Sequence, residues 1–161
     1  MANYRNYSLT DYCAALSGRN PVPGGGSAAA YAAALGASLL LMVANYSISD
    51  KTPPDLVEET KRLLAKTQKL RDRLLELVDL DAQAYLKVVE SKKGTVQSKE
   101  NALKGAREVP REVCQLCYEA IELTPFLVEK GNKFLLSDIE VAVELLEAAF
   151  NSAKINIETN Q

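Results

Sequence analysis

Histidine is absent from the chain, and with it the side chain that most often moves protons near neutral pH or ligates a transition metal. Acid–base work therefore falls to other groups, carboxylates first. Cysteine is scarce as well, with Cys13, Cys114 and Cys117 making an odd set. Cys114-Gln115-Leu116-Cys117 has the spacing of a redox pair or half a metal site, but a four-ligand soft-metal centre lacks the remaining donors. The pair reads as two buried thiols on a helix face. A strong excess of either charge is missing too: the formal net charge is -2, with Lys and Arg interspersed among acids, which gives no general electrostatic reason to bind nucleic acid or an anionic membrane and leaves local basic sites to hold a small anion. No secretory leader precedes Tyr4, and the apolar run after Ala28 is rich in small residues and interrupted by Gly36, Ser38 and Asn45. A soluble cytoplasmic protein is expected.

What is present begins with Pro21-Val22-Pro23-Gly24-Gly25-Gly26-Ser27-Ala28-Ala29-Ala30, a flexible turn joined to a helix with almost no side-chain bulk. Such a helix N-terminus exposes N–H groups and attracts carboxylate or phosphate. Two readings stand: a tight turn that serves packing, and a ligand contact through Gly24, Gly25, Gly26 and Ser27. A nucleotide loop is excluded on motif grounds. The Walker type ends in Gly-Lys-Ser/Thr, and the dinucleotide fingerprint needs a preceding strand and spaced glycines.

The length of 161 residues fits one domain with a real core, and every periodic segment is helical. An all-α fold is expected, a compact multi-helix bundle with long antiparallel helices. A first helix starts near Ser8 or Leu9 and stops before Gly18 and Pro21. The second runs roughly from Ser27 to Tyr46, and its alanines let neighbours or a second subunit approach closely. A loop with Pro53 and Pro54 leads to a long helix from about Asp55 to Ser91, whose stripe is Leu63, Thr67, Leu70, Leu74, Leu77, Asp81, Ala84 and Val88. Another helix runs from about Ser98 toward Val128, with Pro110 bending or interrupting it. Ser137-Asp138-Ile139-Glu140 reads as a capping box for the last.

Asp81 is wrong for a core stripe. An acid there needs a partner, water or a changed proton affinity, and it is either a paired structural acid or a site acid facing a cleft. Asp138 has a similar pair of readings. Its place in a first helical turn accounts for its charge, and a site role is the alternative.

Taken together, Pro23-Gly24-Gly25-Gly26-Ser27, Met42-Val43-Ala44-Asn45, Asp81-Ala82-Gln83-Ala84-Tyr85, Val109-Pro110, and Gly131-Asn132-Lys133 with Ser137-Asp138 resemble the formiminotransferase-cyclodeaminase C-terminal domain and its stand-alone bacterial relatives. The order and spacing span nearly the whole chain. The resemblance implies an all-helical, dimer-forming enzyme of folate one-carbon metabolism, acting on a tetrahydrofolate derivative and needing no separate redox cofactor or metal. Between Tyr46 and Asp55 the chain is shorter than is usual there, and Lys92-Lys93-Gly94 stands where many relatives carry Leu-Pro-Lys. Relatives also commonly continue past the position of Gln161 through another helix.

Formimidoyltetrahydrofolate cyclodeaminase is the activity the resemblance implies first. Methenyltetrahydrofolate cyclohydrolase is its alternative, as is a non-catalytic helical assembly that keeps the scaffold. With histidine absent, Asp81 or Asp138 accepts and returns a proton, and Lys133 balances charge or orients the leaving group. Asn132 joins Gly24, Gly25, Gly26 and Ser27 as a substrate contact. The helix end after Gly26 is expected to meet the acidic folate tail.

Overall fold

A computed structural model describes residues 3–159, and among them the regular structure is wholly helical. After a 3-10 turn at Tyr4–Asn6 come α1 (Leu9–Leu16), α2 (Gly25–Tyr46), α3 (Pro54–Ser91) and α4 (Val96–Ile121). A short α5 (Thr124–Lys130) and a second 3-10 turn (Lys133–Leu135) lead directly into α6 (Leu136–Thr159). The four long helices form the expected bundle, with α2 at its centre between α3 and α6 and against α4.

Small side chains put α2 there. Ala30, Ala33, Ala37, Leu40, Val43 and Ala44 are fully buried, and Gly36 is buried where α2 meets α6. A Cβ on Gly36 would stand 2.8 Å from Leu146 Cγ and 2.9 Å from the Ala142 carbonyl, so α6 can approach only a glycine. Near the other end of this contact, Asn156 Oδ1 lies 3.8 Å from where a Gly25 Cβ would be. As residue numbers rise along α2 they fall along α6, which makes the pair antiparallel. Among the described residues α2 alone is long and apolar enough to cross a membrane, but the bundle buries its inner face as a core helix.

Several boundaries differ from the sequence expectation for local reasons. Helix α2 starts at Gly25 with Gly24 as its N-cap, because glycines tolerate the turn and the helix alike. Helix α4 starts at Val96, where the Thr95 hydroxyl accepts from Ser98 N–H at 3.2 Å. Pro110 does not interrupt α4 and lies buried within it; the break falls at Glu122-Leu123, just before Thr124-Pro125. A proline constrains the residue before it and suits the first turn of a new helix, so Pro125 restarts the chain as α5. Ser137 does not cap α6. It sits one residue inside that helix, and Asn132 caps the preceding 3-10 turn through a 3.0 Å bond from Phe134 N–H. The cysteines are free, Cys117 buried and Cys114 half-buried on α4, while Cys13 is exposed.

Candidate functional site

At the N-terminal end of α2 the chain builds a cleft of about 280 Å³. Pro21, Val22 and the Gly24-Gly25-Gly26 backbone form one wall; Asp81 and Tyr85 of α3 face it, and Ala106, Asn156 and Thr159 close it from α4 and α6. Four elements thus converge on a carboxylate. Gly26 explains how it fits, since a Cβ at that position would collide with the Asp81 carboxyl, Oδ1 first.

Burial pushes the Asp81 carboxyl up to about 6, and the Ser27 backbone N–H facing it pulls the other way. The helix end is therefore already occupied by an internal acid. No cation of the described residues contributes to the proton affinity of Asp81, which leaves burial in command. An acid poised this close to neutrality reaches both protonation states under ordinary conditions, as proton transfer requires.

Ser27, expected as a substrate contact, points elsewhere. It is fully buried, and its hydroxyl shares a 3.0 Å hydrogen bond with the Tyr12 hydroxyl. Gly24, Gly25 and Gly26 do line the cleft.

The remaining expected residues gather at the opposite end of α2. Asn132 donates its backbone N–H to Ser47 Oγ at 2.9 Å and its side-chain amide to the Tyr46 carbonyl at 3.3 Å. Gly131 allows this approach because a Cβ there would strike the Leu127 carbonyl. Lys133 is exposed, and its ammonium caps α5 by donating to the carbonyls of Val128 and Glu129. Asp138 lies half-buried in the first turn of α6. Helix α2 has 22 residues, so its ends are about 33 Å apart at the usual rise. Within one chain, then, Lys133 and Asp138 do not share a corner with Asp81.

Sequence reasoning passed over Asp79, Tyr12, Asn156 and Thr159, and it left Tyr85 without a role. Asp79 is buried two positions before Asp81, accepting from Tyr4 N–H at 2.6 Å with Arg5 Nε at 3.5 Å. A larger groove of about 410 Å³ runs past it, but its cations are engaged, Arg5 by Asp79 and Arg73 by Glu112 and Glu76. Among the described residues no group of three or more Cys, Asp and Glu side chains is placed to hold a metal ion.

The formiminotransferase-cyclodeaminase family model matches residues 8–161. Among curated proteins, the chain is 33% identical to the methenyltetrahydrofolate cyclohydrolase of Methylorubrum extorquens, covering 96% of this chain and 79% of that one. It is 32% identical to the formimidoyltransferase-cyclodeaminase of Gallus gallus, where 94% of this chain corresponds to only 30% of that larger protein. Among solved structures, the formiminotetrahydrofolate cyclodeaminase of Thermotoga maritima superposes with a TM-score of 0.92 at 32% identity, covering 96% of this chain and 78% of that chain.

Proposed function

The chain belongs to the formiminotransferase-cyclodeaminase family and is an enzyme of folate one-carbon metabolism; we propose that it is a formimidoyltetrahydrofolate cyclodeaminase whose working acid is Asp81. The observation that carries this reading is the Asp81 carboxyl, raised to about 6 by burial, in a cleft whose opposite wall is glycine backbone. In cyclodeamination the formimino group on N5 enters protonated, as its amidine basicity favours at neutral pH; the folate N10 forms a bond to its carbon, N10 loses its proton, and the C–N bond breaks so that the formimino nitrogen leaves as ammonia. The Asp81 carboxylate takes the N10 proton and, as the neutral acid, returns a proton to the departing nitrogen. The methenyl bridge remains.

The backbone of Gly24, Gly25 and Gly26 supplies the polar substrate contacts in this reading, with the electrostatics of the α2 end already satisfied by Asp81. A homodimer brings in the rest. Helix α2 shows an outward apolar stripe centred on Leu35, 42% exposed, and ending at Tyr46, 68% exposed. A two-fold axis through Leu35 sets the Gly26 end of one α2 against the Tyr46 end of the other, where Asn132 is tied. By this arrangement Lys133 and Asp138 reach the site from the second copy, Lys133 as an electrostatic partner and Asp138 as a second proton carrier. The three free thiols support a reducing compartment, the cytoplasm.

The test supplies each folate derivative separately to the purified protein. Ammonia release with methenyl formation from the formimidoyl substrate is expected. Opening of the methenyl bridge alone would instead favour the cyclohydrolase reading, which the Methylorubrum relative supports and in which the same acid positions water. Turnover of neither substrate would reduce the protein to a helical assembly and overturn the proposal.

A further inference from the structure

The Asp81 carboxylate owes its orientation to the first turn of α2, through the space left by Gly26 and the facing Ser27 N–H. That turn has its own anchor. Ser27 is fully buried and Tyr12 is 7% exposed, yet the pair buries two hydroxyls joined at 3.0 Å. Phenylalanine and alanine would fill the same place without polar desolvation, so the hydroxyl pair adds direction rather than burial. Tyr12 comes from α1, outside the four long helices, and is held by Tyr31 at 5.2 Å and Tyr4 at 6.5 Å between ring centres. Tyr4 in turn donates its hydroxyl to the Val22 carbonyl at 3.2 Å, and Val22 is part of the cleft wall.

We propose that Tyr12 is a positioning residue for the reaction: its hydroxyl, acting through Ser27, fixes the first turn of α2 and thereby the direction in which Asp81 presents its carboxylate to the cleft. The inference rests on the reading of Asp81 as the working acid. Around that carboxylate stand Tyr12 of α1, Tyr85 on its own helix, Ala106 of α4, and the neutral Asn156 and Thr159 of α6. The proposed homodimer adds Lys133 and Asp138 of the second copy, so the acid limb of a pH profile is assigned to Asp81 by its loss in Asp81→Asn and its persistence in Asp138→Asn.

Tyr12→Phe keeps the ring and removes only the hydroxyl. We expect kcat to fall about tenfold with KM within about twofold. The loss of activity on acidification should begin at higher pH than in the unaltered protein, because a loosened first turn withdraws the Ser27 N–H that holds the Asp81 proton affinity down. Ser27→Ala, which leaves Tyr12 in place, should give the same two changes, and combining the substitutions should add little to either alone. A merely structural hydroxyl would lower the melting temperature while leaving kcat and the acid limb alone, and that result overturns the proposal. Carbon-13 titration of the Asp81 carboxyl in the full chain reads the same coupling without substrate. An upward displacement in Tyr12→Phe, or in Ser27→Ala should the former not fold, supports positioning even if neither folate is turned over; an unmoved titration rejects it.

Discussion

The two ends of α2 solve the same problem in opposite ways. At the N-terminal end Gly26 admits the Asp81 carboxylate from another helix, Gly24 and Gly25 line the cleft beside it, and the chain tolerates a buried acid whose proton affinity is raised to about 6. At the C-terminal end the polar groups cancel locally: Ser47 and Asn132 hydrogen-bond each other's segments, and Lys133 satisfies the last carbonyls of α5. Polar capping of this kind stabilises a fold, whereas an ionised acid held in a poorly solvated place costs stability and persists where it serves chemistry. Within one chain the first end presents the acid and the second holds the fold; only across the proposed dimer do Lys133 and Asp138 meet a site.

The largest expected effect separates the ends by mixing them. Chains carrying Asp81→Asn and chains carrying Lys133→Met should each be nearly inactive alone. Unfolded and refolded together, equal amounts should recover about a quarter of normal activity if the proposed homodimer forms, since half the dimers would then be mixed and each mixed dimer would have one intact site. Normal activity of Lys133→Met on its own would confine the site to one chain, and an inactive mixture would reject the shared site. Next comes Gly26→Ala, whose methyl must displace the Asp81 carboxyl and should lower kcat more than tenfold, roughly the consequence of misplacing a catalytic group by an ångström. Steady-state kinetics at saturating substrate checks it.

Gly36→Ala probes the middle of the helix rather than either end. Its methyl would meet Leu146 and the Ala142 backbone, so urea unfolding should show a loss of about 1 to 3 kcal/mol from overpacking. Lys133→Met should show the smallest stability effect, below about 1 kcal/mol, because only a surface cap is lost. A greater loss there would mean that the holding end carries more of the fold than its exposed geometry shows.

Much of this contrast is legible in the sequence. The alanine-rich run from Ala28 to Ala44 is a central helix because its side chains are too small to keep neighbours away, and the Leu63 to Leu77 spacing announces the α3 stripe. Asp81 stands out because it breaks that stripe. The spacing predicts one helix from about Ser98 toward Val128 bent or interrupted at Pro110, but Pro110 is accommodated inside α4, a tertiary outcome, and Pro125 begins a new helix. Asn156 and Thr159 give no sequence signal at all. They reach the cleft beside Gly25 only because α6 runs antiparallel to α2, and such long-range registry is invisible in local spacing. Asp79 is hidden for another reason, since its partner is a backbone N–H 75 residues away.

Asp81→Asn gives the most direct test, with turnover and stability measured on the same samples across pH. In the unaltered protein the acid binds its proton more tightly folded, at about 6, than at its ordinary value of 3.8. Folding stability attributable to Asp81 is therefore greatest at low pH, falls as pH rises from about 4 to 6, and stays lower above that, by roughly 3 kcal/mol at the usual conversion. The neutral amide escapes this loss, so Asp81→Asn should melt higher than the unaltered protein at pH 7.5, with the difference shrinking toward pH 4, while cyclodeaminase turnover falls by about 10² to 10⁴. An amide variant that keeps normal turnover, or that loses turnover only together with stability at neutral pH, would contradict the account.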